Sequence, residues 1–333
     1  DLGRQRESEQ VLAAALRDEA LLDGGTLGLL LTEQARTLAD LGKLPEARRA
    51  VDRAFQIAES SRGSIESARL RAADARFFVI ASQGKLAEQI EAGMDVVRLA
   101  DAAGDVPLGT RARCNLGHSY NCVGRFEEAL IALSQAASDA VRSRILPLQG
   151  FALHNLGLTL ARLQRFDEAI AHQQHARSLA EQMGHERLRV SSLQYEALTL
   201  AWCGAPERAL PFAKEACHAA AHQPSQRILA FRVLAFIQQF RGAKEAALEL
   251  LSEPGVLPEG SSDPEWSVLA RLTQVEALLS LGEHSQAREQ LRLATLALLE
   301  AAHSLPETYR QGFLERLDEN RRTLELARLL GVY

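Results

Sequence analysis

Cys114, His118 and Cys122 are spaced four positions apart, so a helix would carry all three on one face, and two thiols with an imidazole are competent zinc ligands. Two helical turns separate the outer pair by about 12 Å, too far for both to hold one ion at about 2.3 Å. Neither a metal site nor a cofactor is therefore expected. His172 with His175, and His218 with His222, could chelate weakly as helical neighbours, and a solvated helix face accounts for them better. Asn115 and Asn155 stand forty positions apart, and an amide can pair with a peptide unit in either sense, donating or accepting. Arg111, Arg162 and Arg232 carry forked donors that suit a carboxylate, and equally suit ordinary pairing with glutamates on a helix surface. No GxxxxGK[ST] loop, GxSxG elbow or HExxH pair occurs, so a non-enzymatic role is expected.

Composition narrows the setting. The chain has 333 residues, 47% hydrophobic and only 5% aromatic, the profile of an all-α protein with close-packed helices. Its net charge of −5 is spread out, with no basic run, which argues against nucleic acid as a partner. The most apolar run, around Leu27 to Leu31, is far too short to cross a membrane and soon meets Glu33 and Arg36. Cys114, Cys122, Cys203 and Cys217 form no CxxC pair and lie in apolar helical patterns, so they read as free thiols in a reducing cytoplasm. Because the chain opens at Asp1, without methionine and in mid-pattern, it is expected to be a piece of a longer protein. Basic residues that are nearly all arginine hint at a GC-rich bacterial source.

The elements that must position these residues repeat. NLGHSYNCVGRFEEA, residues 115–129, recurs as NLGLTLARLQRFDEA at 155–169. Self-similarity at such a period marks a supersecondary unit that buries its apolar face only by stacking on copies of itself. One turn slot per unit holds Gly42, Gly84, Gly124, Gln164, Gly204, Gly242 and Gly282, which makes seven units stepping by 38 to 42 residues. Five positions after the turn, six of the seven residues are alanine: Ala47, Ala129, Ala169, Ala209, Ala247 and Ala287, with Gln89 the exception. Seven before it stand Ala35, Phe77, Gly117, Gly157, Ala197, Ala235 and Val275. Small side chains at this spacing let two helix axes approach closely, so this stripe is packing rather than chemistry.

The pattern Leu-Gly-x-x-Tyr-x-x-x-Gly-x-Phe-x-x-Ala at Leu116 to Ala129 resembles the tetratricopeptide repeat, with the likeness extending over roughly Gly25 to Ala302. That family's unit has 34 residues, so a period near 40 requires helices longer by about a turn and falls in the range of HEAT and armadillo repeats. The Gly-x-aromatic-x-x-Ala turn favours the tetratricopeptide reading. The family's early tryptophan and closing proline are missing. The resemblance implies a right-handed α-solenoid of antiparallel helical hairpins, whose first helices line a concave surface that binds extended peptides or partner helices. On that basis the expected ligand-binding residues are Arg111, Asn115, His118, His154, Asn155, Arg162, Trp202 and Arg232. For Asn115 and Asn155 a structural or solvated role stands beside the ligand role, and Ala75, Tyr195 and Val233 break the slot elsewhere. Glu33, Asp40 and Asp74 give the first two units of the same surface an acidic character.

The expected division is a flanking helix over 1–23, seven repeats over 24–302 and a C-terminal capping helix over 303–333. Arg4 to Leu22 reads as one helix stopped at Gly24-Gly25. The second helix of unit six ends at Pro254-Gly255. An exposed loop over 257–264 follows, with Asp263 as N-cap and Pro264 in the first turn of a helix starting near Glu265. The segment Pro306 to Leu330 reads as one long charged helix with a polar outer face. The functional expectation is a protein-interaction scaffold that captures a peptide or partner helix, as the regulatory part of a larger bacterial signalling protein. Two alternatives are a small-molecule effector-sensing domain of a bacterial regulator or ATPase, and a self-association module.

Overall fold

A computed structural model describes residues 2–60, 65–257 and 266–332, which form helices and turns with no strand among the described residues. The chain divides into two compact units, residues 1–116 and 117–333. In the first, α1 (Leu2–Ala15) precedes the hairpins α2 (Gly24–Asp40) with α3 (Leu44–Ser60) and α4 (Ile65–Ala81) with α5 (Leu86–Ala103). Helix α6 (Val106–Cys122) carries the boundary between the units. The second unit continues with α7 (Phe126–Arg142), then α8 (Leu146–Arg162) with α9 (Phe166–Met183) and α10 (Glu186–Trp202) with α11 (Pro206–Ala219). It is completed by α12 (Pro224–Phe240) with α13 (Lys244–Ser252), α14 (Ser267–Ser280) with α15 (His284–His303), and finally α16 (Glu307–Glu315) and α17 (Asp318–Leu329). The first helix of each hairpin is called its A helix and the second its B helix.

The period follows from the element lengths. Two helices of 17 residues and two three-residue turns, as in α7 and α8, occupy forty positions. All seven turn slots have positive φ, between 60° and 86°. At the turn after α6, Gly124 N–H donates to Asn121 O at 3.2 Å and Arg125 N–H to Tyr120 O at 2.9 Å. This pair of bonds is the Schellman closure, which needs a left-handed residue and therefore favours glycine. Gln164 makes the same closure at φ 60° without glycine's freedom.

Packing uses the small-residue stripe. Ala47, Ala129, Ala169, Ala209, Ala247 and Ala287 have no exposed surface, while Gln89 is half-buried. A Cβ added at Gly117 would lie 2.4 Å from Leu133 Cγ, so only glycine lets α6 and α7 meet there. The B helix α13 is short because Glu253, which precedes Pro254, turns extended at ψ 140°.

Three expectations about the irregular parts change. Residues 4–22 are not one helix: α1 ends at Ala15 and a single 3-10 turn, Glu19–Leu21, follows. Gly24-Gly25 does not stop a helix but starts α2, because Asp23 caps it by accepting from Thr26 N–H at 3.0 Å. The C-terminal helix is two helices, broken where the Asn320 side chain donates to Phe313 O at 2.8 Å and takes a carbonyl from the end of α16. Helix α14 begins at Ser267, and the expected loop, the Asp263 cap and Pro264 lie outside the described residues, apart from Leu257.

Candidate binding face

Cys122, Arg162 and Trp202 are the last residues of α6, α8 and α10, so one slot of the repeat lines up a column at the A-helix ends of the second unit. The Arg162 guanidinium lies 4.5 Å from the ring centre of Trp202 and 5.4 Å from that of Trp266. The two indoles are 6.0 Å apart, Tyr195 meets Trp266 edge-on at 5.7 Å, and His154 stacks on Tyr195 at 4.2 Å. Three residues singled out in the sequence, His154, Arg162 and Trp202, thus belong to one ladder of rings and a cation.

Each member is held by its neighbours. His154 is buried, with Nδ1 3.2 Å from Gln173 Oε1, and Gln173 Nε2 donates back to the His154 carbonyl at 2.7 Å. Gly157 makes room for that amide, since a Cβ there would lie 2.4 Å from Gln173 Nε2. Burial pushes the His154 pKa down to about 3, against the opposing hydrogen bond to Gln173 Oε1, so the ring is neutral near pH 7. Trp266 adopts φ 58°, uncommon for a bulky residue, and its buried indole N–H has no partner among the described residues.

Arg162 closes the ladder with a carboxylate. Its two terminal nitrogens donate to the two oxygens of Glu319 on α17 at 2.8 and 2.7 Å, and the side chains are only 7% and 10% exposed. Burial opposes the charge on Arg162, and the facing Glu319 outweighs it, so the guanidinium is held above its usual value. A planar fork against a planar carboxylate, enclosed by rings, is a geometry for carboxylate recognition. Neither Glu319 nor Trp266 was singled out in the sequence. Trp266 lies just past the stretch of sequence where the period lapses. Glu319 sits in a charged segment expected to face outward, and whereas Asp318 and Arg321 do so, Glu319 is buried.

The remaining residues fall elsewhere. Arg232 is fully buried, and its Nε donates to Val256 O at 2.7 Å, pinning the chain that follows α13. Asn155 is half-buried, and its side-chain amide makes no hydrogen bond among the described residues. His118 Nε2 lies 3.7 Å from Cys122 Sγ, a contact one turn apart on α6. In the first unit Arg111 and Arg36 share the carboxylate of Asp74, and Asn115 is exposed. Burial pushes the thiols of Cys114 and Cys217 up to about 12. Among the described residues no three His, Cys, Asp or Glu side chains are grouped to hold a metal ion, and no helix is long and apolar enough to cross a membrane.

A family model for the tetratricopeptide repeat matches residues 152–183, which run from the first turns of α8 to the end of α9. Among solved structures, a Rap protein complexed with competence and sporulation factor is similar over 99% of this chain and 97% of its own, with TM-score 0.66 and 14% identity. The apo form of RapI is similar over 85% and 93%, with TM-score 0.61 and 11% identity. A signal transduction ATPase with numerous domains and a tetratricopeptide repeat sensor, from Pyrococcus horikoshii, covers 84% of this chain. This chain spans 41% of that protein, with TM-score 0.56 and 15% identity. No curated protein sequence matches. With its turn slots, its alanine stripe and the hairpin α8–α9 that matches the tetratricopeptide repeat, the chain is an all-α protein of repeated helical hairpins whose fold is similar to these structures.

Proposed function

We propose that the chain is a non-catalytic protein-interaction module, and that the A-helix ends of its second unit dock a helix or peptide bearing a carboxylate. One observation carries this reading: the face already holds such an element, with Glu319 of α17 forked onto Arg162 between Trp202 and Trp266. The rings supply apolar area and the guanidinium supplies direction, the division of labour found at binding hot spots. Asn155, whose amide can donate and accept and makes no hydrogen bond among the described residues, is the next candidate contact. The fold is also that of a Rap protein seen in complex with competence and sporulation factor, and of a sensor within a larger signalling ATPase. These likenesses support a regulatory role in a cytoplasmic, bacterial signalling setting.

Fluorescence anisotropy with a panel of helical peptides, each with one central glutamate, tests the reading. Binding should fall by about tenfold or more in Arg162→Met and Trp202→Ala. It should hold in Arg111→Ala, whose guanidinium serves Asp74 in the first unit. Peptides that bind all three variants as they bind the parent chain would remove the proposed face.

A further inference from the structure

Helix α17 has two unlike sides. One carries Leu326 and Ala327, which pack on Leu272 and Val275 of α14 and Leu291 of α15, the hairpin just before it in the chain. This apolar contact is all that a terminal cap requires. The other side, together with α16, reaches back to α7 and α8 through ion pairs and close backbone contact, with Phe313 of α16 and Leu317 also buried. Arg316 pairs with Glu127 at 2.6 and 2.7 Å and lies 4.9 Å over the Phe126 ring. Arg125 donates to Thr308 O at 3.4 Å, and Glu319 takes the fork of Arg162. Where α16 meets the turn after α6, backbone meets backbone, since a Cβ at Gly312 would lie 2.8 Å from Val123 O.

We infer that α16–α17 is a releasable occupant of the docking face proposed above, on which this inference rests. The partner that fits is an acidic helix able to take the place of Glu319. The chemistry favours exchange over simple loss. A buried guanidinium left without its carboxylate is strongly disfavoured, whereas one carboxylate replacing another leaves Arg162 paired before and after. Glu127 and Arg316 are both substantially exposed, so on release they pass into water at little cost. The break at Arg316–Leu317 gives the segment a place to bend.

Gly312→Ala tests this in the full chain. Alanine strengthens α16 as a helix but forces its backbone off Val123 O, so weaker docking cannot be blamed on a weaker helix. Glu319→Gln is the second variant, in case the first repacks. Two measurements are made on each: amide hydrogen exchange over 307–329, and anisotropy of a labelled synthetic peptide with the sequence of residues 305–322. In both variants, exchange across 307–329 should rise by about tenfold or more while α8–α11 are unchanged, and the peptide should bind about tenfold tighter than to the parent chain. The same peptide with glutamine in place of its Glu319 should bind none of them. Protection of 307–329 that stays equal to that of α8–α11 in both variants would overturn the inference. So would a peptide that binds the parent chain as tightly as the variants, although the docking reading would then survive. Release of α16–α17 with no peptide binding would support the releasable segment and remove the docking face.

Discussion

The two units each pair an arginine on an A helix with a buried or nearly buried acid, and they do so over different spans of chain. In the first, Asp74 on α4 receives Arg36 from α2 and Arg111 from α6, partners one repeat step away. In the second, Arg162 on α8 receives Glu319 from a helix 157 positions later. A pair made between adjacent repeats forms whenever the repeats stack, because stacking alone brings its partners together. A pair that joins the middle of a unit to its end is a separate event and can be undone while the stack remains. The surroundings differ accordingly. Arg36 and Arg111 keep 26% and 43% of their surface in water, while Arg162 keeps 7%.

The largest expected effect is on pH. All nine histidines lie in the second unit. His154, with its pKa lowered to about 3, stays neutral in the fold, while the unfolded chain takes up a proton below its ordinary value near 6.5. The unfolded state therefore binds more protons between those values, and stability falls as pH falls through that window, by about 1.4 kcal/mol per pH unit. Thermal unfolding from pH 7 to 4 should show this slope, and His154→Leu should flatten it. An unchanged slope would mean the ring is protonated in the fold.

Removing the acids separates the two kinds of pair directly. Glu319→Ala leaves Arg162 charged and enclosed, a cost of about 3 to 5 kcal/mol if α17 stays in place. Lifting α17 escapes that cost, so the change should appear as fast amide exchange in α17 rather than as global unfolding. Asp74→Ala frees two half-hydrated guanidinia and should cost the first unit no more than about 1 kcal/mol. Equal effects at the two sites would erase the contrast between them.

Packing should not distinguish the units. Ala47→Leu and Ala169→Leu each overfill a fully buried slot and should cost about 1 to 3 kcal/mol in chemical denaturation. His172→Leu, on a half-buried position of α9, should cost little. The smallest change is at a turn: Gln164→Gly relieves a left-handed side-chain residue and should stabilise the second unit by up to about 1 kcal/mol. Gly84→Ala should do the reverse in the first.

Much of this was legible in the sequence. The turn slots could be read because every A-to-B reversal makes the same backbone demand, which even Gln164 meets. The alanine column could be read because the same buried slot recurs in six of the seven hairpins. Of the candidate site, His154, Arg162 and Trp202 were visible as A-helix positions outside the packing stripe, and the structure joins them through Tyr195 and Trp266. Spacing marks Gly157 as a helix contact only. Its second task, admitting the Gln173 amide that holds His154, depends on side-chain directions that spacing does not contain.

What the sequence determined by itself was the unit: helix length, turn and contact stripe, all set by interactions within one period. What only the tertiary structure decided was which side of the last two helices turns inward. Their periodicity makes Glu319 one charge among many beside Asp318 and Arg321. A buried guanidinium on α8 and a backbone approach at Gly312 are what select it. Contacts within a period repeat and so leave a pattern along the chain, whereas a contact made once, between segments 157 residues apart, leaves none.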